Sequence, residues 1–83
     1  MTDHKGLPVA GYQPQSDDKV SSVNMNKQME EQVLRRLDEL KAEGSSIDQR
    51  WLAIGRTHIE EGFMAINRSI FQPSRVKLDG DTE

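Results

Sequence analysis

The stretch SIDQRWLAIGRTHIEEGFMAINRSIFQP, Ser46 to Pro73, decides the fold. Ser46 with Gln49 three residues on has the form of a capping box, which satisfies two otherwise orphaned helix-end amides, and Asp48 adds a favourable charge in the first turn. Beyond that start Leu52, Gly55, Ile59, Gly62, Phe63, Ile66 and Ile70 recur at three- and four-residue steps, so they are predicted to fall on one face of a helix that Pro73 ends. Gly55 and Gly62 each cost a helix interior about 1 kcal/mol relative to alanine. The expected compensation is close approach of another backbone, or of a ligand, along the strip they leave bare. Thr57, Glu61, Met64 and Arg68 follow steps of four, three and four and also share a face. The plain reading of that polar line is a solvated surface; the sharper one has Thr57 and Arg68 gripping an anion.

Upstream, Ser16, Asp17 and Asp18 read as an N-cap with an acidic first turn, opening a helix whose apolar stripe is Val20, Val23, Met29, Val33, Leu34, Leu37 and Leu40. Gly44 is placed to end it in a left-handed cap. The connection is short, so the two helices, about 17–43 and 47–72, are predicted to fold back as an antiparallel hairpin occupying residues 16–73. Lys27 stands beside the apolar line of the first helix. Such a lysine ordinarily snorkels to water, while its sharper reading is a phosphate contact at a subunit boundary. Residues 1–15, MTDHKGLPVAGYQPQ, carry four breakers and read as an extended arm holding the only tyrosine, Tyr12. Tyr12 either packs the arm onto the helices or lays its ring over a ligand. Residues 74–83 read as a loose acidic tail.

Eighty-three residues with a net charge of -3 make one small acidic domain. No apolar run approaches the roughly 20 residues that span a bilayer, and no signal-peptide centre is visible, so a cytoplasmic location away from membranes is expected. Zero cysteines remove disulfides and thiolate metal sites, and two histidines, His4 and His58, make no zinc cluster. No cofactor is expected. The cations are interleaved with acids and form no basic stripe, which argues against DNA or RNA polymers as partners but leaves room for a small anion. The apolar content is thin for one chain. Trp51, Ile54 and Phe71 lie off the main stripe, so self-association is expected to complete the core.

Catalytic chemistry finds no support. The serines lie in caps or polar runs, and adjacent Glu60 and Glu61 point about 100° apart on a helix, a poor geometry for sharing one bond. Neither a phosphate-cradling glycine loop nor a metal motif occurs.

The combination of GYQPQ and VNMNKQMEEQVLRRLDEL with DQRWLAIGRTHIEEGFMAINRSIFQPSRV resembles the phage anti-CBASS sponge family, whose hairpin is similar to that of the anti-Thoeris sponges. The resemblance covers roughly residues 6–76. It implies an all-α hairpin with an extended N-terminal arm, assembled as a homohexamer in the infected bacterial cell, that sequesters cyclic oligonucleotide alarm signals without cleaving them. It further implies that Tyr12 stacks on a base and Lys27 meets the phosphates of a cyclic dinucleotide such as cGAMP held between protomers. Thr57 and Arg68 are implied to contact cyclic trinucleotides at separate three-fold positions. The competing reading is a small helical phage protein that inhibits a host enzyme by docking its Trp51 and Phe71 surface.

Overall fold

The computed structural model describes residues 10, 11 and 14–81, and over these residues it is all-helical, with no strand. Helix α1 runs Asp17–Ala42, a single 3-10 turn follows at Gly44–Ser46, and helix α2 runs Gln49–Phe71. Ser16 caps α1 by accepting the amide of Lys19 at 3.2 Å, with Asp17 and Asp18 in the first turn against the positive end of the helix dipole. At the other end the chain leaves the helix through Gly44 at φ +64, a left-handed conformation that a glycine adopts without a Cβ penalty.

The start of α2 differs from the expected capping box. Ser46 remains in the 3-10 turn, where its hydroxyl donates to the Glu43 carbonyl at 3.1 Å, and Gln49 reaches back to the Gly44 carbonyl at 2.9 Å. Asp48 is the N-cap, its carboxylate accepting the Trp51 amide at 3.1 Å. The helix begins two residues later than spacing assigns, after Ile47 and Asp48, which moves the cap onto an equally good capping residue. Helix α2 ends with Gln72 in the left-handed region, φ 49 and ψ 57, its amide bonded to the Arg68 carbonyl at 2.8 Å. A residue with a Cβ held there costs about 1–2 kcal/mol, and Pro73 prevents the helix from continuing.

The helices pack antiparallel along Val23, Val33, Leu34, Leu37 and Leu40 of α1 and Leu52, Ile59, Phe63 and Ile70 of α2, all at least half-buried. Two polar rungs cross the same seam. Asn26 donates to Asn67 at 3.0 Å, and Arg56 donates to Asp38 at 2.9 Å. The inward stripe of α2 is therefore Leu52, Arg56, Ile59, Phe63, Asn67 and Ile70, whereas Gly55, Gly62 and Ile66, expected on it, are exposed. Val20 and Met29, expected inward on α1, are exposed as well. Contact between two helices covers a strip narrower than the apolar residues of either one, so two of the seven expected inward on α1 and three of the seven on α2 are left outside.

Among the described residues nothing outside the local helix backbone packs on Gly55 or Gly62: a Cβ built on either meets no such atom within 4 Å. Among the described residues Val23 alone is fully buried, at 3% exposure. The accessible surface is 7245 Å², against about 5,000 Å² for a compact chain of this mass. A radius of gyration of 18.1 Å, against about 12 Å for a compact domain of this length, describes the same open rod.

Candidate functional site

Helix α1 presents a polar stripe on the side away from the seam. Asn24, Lys27, Gln28, Glu31, Gln32 and Arg35 line a wide, shallow groove there, set by the three- and four-residue steps of one helix face. The Lys27 ammonium is exposed, and among the described residues no carboxylate pairs with it. Arg35 is held by Glu31 at 2.9 Å. The stripe thus offers one uncommitted cation, one neutralised cation and three side-chain amides, a set suited to phosphate and sugar oxygens. Sequence reading singled out Lys27 and passed over Arg35, whose position two turns further along the same face was the available signal.

Thr57 and Arg68 lie exposed on α2, outside that groove. The Thr57 hydroxyl donates to the Ala53 carbonyl at 3.2 Å, which leaves its lone pairs outward. Eleven residues separate Thr57 from Arg68, about 16 Å along the helix axis. One chain therefore cannot close both side chains on one anion. Glu61 and Met64, between them, are also exposed, and Glu61 stands 3.8 Å from His58 Nδ1. Tyr12 lies outside the described residues.

A second groove opens between the helices near the turn, about 350 Å³, lined by Leu37, Asp38, Lys41, Gln49, Leu52, Ala53 and Arg56. The hydrogen bond from Arg56 to Asp38 is the largest influence on the guanidinium and raises its pKa; partial desolvation opposes it, and the charges of Asp38 and of Glu60 at 4.0 Å add smaller effects in the raising direction. Arg56 is thereby committed to the seam. Trp51, 62% exposed, stacks under the guanidinium of Arg50 at 5.8 Å, while Ile54 and Phe71 are half-buried. No group of three or more histidines and carboxylates among the described residues is arranged to hold a metal ion, and no helix there is long and apolar enough to cross a membrane.

A hairpin with two polar rungs, a nearly empty core and an amide-rich groove carrying a free ammonium defines a class: a small helical hairpin that keeps much of its polar and apolar surface open. Comparison with known families makes this specific. Residues 5–71 match the family model described as Acb2/Tad1, hairpin domain, and the chain belongs to that family, the anti-CBASS and anti-Thoeris sponges. The family is one of phage proteins that sequester cyclic nucleotides. No curated protein matches the chain.

Proposed function

We propose that this protein is a sponge for cyclic dinucleotides, cGAMP among them, which it holds intact between copies of itself and so withholds from CBASS effectors. The observation that carries the reading is the family match over residues 5–71, a span that includes Tyr12, Lys27, Thr57 and Arg68. Tyr12 supplies a stacking face for a base, worth about 1–3 kcal/mol and indifferent to which base it is. Lys27 supplies a compact positive charge for the phosphates. Two copies related by a two-fold axis bring two rings and two ammonium groups to a ligand with two bases and two phosphates.

Self-association is supported by the surface left open in one chain. Exposed Met25, Met29, Trp51, Met64 and Ile66, together with the bare strip at Gly55 and Gly62, are what a hexamer of this hairpin would cover. Cyclic trinucleotides form the second ligand class, taken up at three-fold positions by Thr57 and Arg68. Because the two are about 16 Å apart along one helix, such a site takes Thr57 from one copy and Arg68 from another.

Isothermal calorimetry of the full chain with a panel of cyclic di- and trinucleotides, beside sedimentation analysis, tests the proposal. Dinucleotide binding by a multimer is expected. A monomer that takes up no cyclic nucleotide would overturn the proposal and return the host-enzyme reading, which rests on the exposed Trp51.

A further inference from the structure

We infer that Gly11, Gln15 and Ser74 are positioning residues that clasp the N-terminal arm to the chain beyond α2 and so set where Tyr12 begins. The inference rests on the dinucleotide reading above. The Ser74 amide donates to the Gly11 carbonyl at 2.9 Å, and its hydroxyl reaches the same carbonyl at 3.5 Å. Gln15 donates its side-chain amide to the Phe71 carbonyl at 2.9 Å. As the arm advances from residue 11 to 15 its partners retreat from 74 to 71, so the two segments run antiparallel, tied at both ends.

The tie is built for glycine twice over. Gly11 sits at φ +83, a conformation that L side chains rarely adopt, and a Cβ there would stand 2.5 Å from the Ser74 carbonyl oxygen. On the other side, the left-handed turn at Gln72 directs the chain out of α2 to where the Ser74 amide meets the arm. The fold holds an L residue in a strained conformation at this point, which the two arm contacts help to offset. Ser74 lies outside the matched span 5–71, so the family match does not imply the clasp.

Its consequence is preorganisation. Tyr12 follows Gly11 directly in the chain, so the residue that the clasp fixes is the one joined by a peptide bond to the proposed stacking residue. Fixing Gly11 and Gln15 is then completed during folding instead of being charged against ligand binding.

Calorimetry of full-length Gly11→Ala, Ser74→Pro and Ser74→Ala with a cyclic dinucleotide tests this, with circular dichroism and sedimentation run on each variant. Ser74→Pro removes the donating amide and Gly11→Ala displaces the acceptor; each is expected to weaken binding about tenfold at unchanged helicity and assembly, the scale of one lost hydrogen bond. Ser74→Ala keeps the amide and is expected to lose less than Ser74→Pro. Wild-type affinity in Gly11→Ala and Ser74→Pro overturns the clasp, as does an equal loss in Ser74→Ala and Ser74→Pro. Altered assembly in the variants overturns the positioning role by making the segment part of the oligomer. If the unaltered chain binds no dinucleotide, the functional reading fails first.

Discussion

Asn26 of α1 and Asn67 of α2 join their side-chain amides at 3.0 Å across the helix seam, half-buried, twelve residues along α1 from the second rung at Asp38 and Arg56. Two rungs about 18 Å apart specify both register and rotation of the hairpin, which an apolar seam of interchangeable Leu and Ile residues would define less sharply.

Asn26→Ala leaves the Asn67 carbonyl oxygen half-buried without its donor and is expected to cost about 1–2 kcal/mol in urea unfolding. The double substitution Asn26→Ala with Asn67→Ala is expected to cost less than the sum of the two singles, since it removes both partners. Strict additivity would show that the amides do not interact.

Arg56→Ala breaks the other rung, but both partners keep access to water: the Arg56 side chain is 37% exposed and that of Asp38 62%. A loss of under about 1 kcal/mol is expected, shrinking further in high salt. A cost above that of Asn26→Ala would reverse this ranking.

The start of α2 separates two candidate caps. Asp48→Ala is expected to destabilise the hairpin by about 1 kcal/mol, whereas Ser46→Ala stays within about 0.5 kcal/mol, because only Asp48 accepts a first-turn amide. Equal effects in thermal unfolding would restore the capping box at Ser46.

Val23 occupies the one fully buried apolar site among the described residues. Val23→Ala is expected to cost about 2 kcal/mol, the transfer energy of its methyls plus a cavity contribution. Met64→Ala, on an exposed position of the same hairpin, is a test of assembly: neutral in a monomer, destabilising where another copy covers it.

The two helices were legible in the sequence because their start and stop signals act locally: the Ser16 cap, Gly44 at φ +64 and Pro73 need no partner on another element to exert their effect. The seam was less legible. Periodicity counted Gly55 and Gly62 as apolar, yet a residue without a side chain has no inward preference, and the true stripe passes through Arg56 and Asn67. Polar residues escape a pattern search when a partner on the opposite helix satisfies them, since burial then costs little. At the candidate site, the exposed ammonium of Lys27 accords with either reading of it. The Gly11 to Ser74 tie had no signal at all, because a main-chain hydrogen bond between residues 63 apart leaves no mark on composition or spacing.

Variants of the proposed contacts divide by ligand. Tyr12→Ala and Lys27→Ala are each expected to weaken cyclic dinucleotide binding by about tenfold or more with assembly intact, the scale of one stacking or charged contact. Arg68→Ala is expected to spare dinucleotides and weaken trinucleotides. Parallel loss of both ligands in Arg68→Ala would mean one shared pocket.

Capture without cleavage is tested most directly by loading the full-length protein with a cyclic dinucleotide, removing unbound ligand, heating the complex and chromatographing what is released. The cyclic compound is expected back unaltered, in fixed proportion to the protein. Linear or mononucleotide products, or no retained ligand at all, would contradict the account.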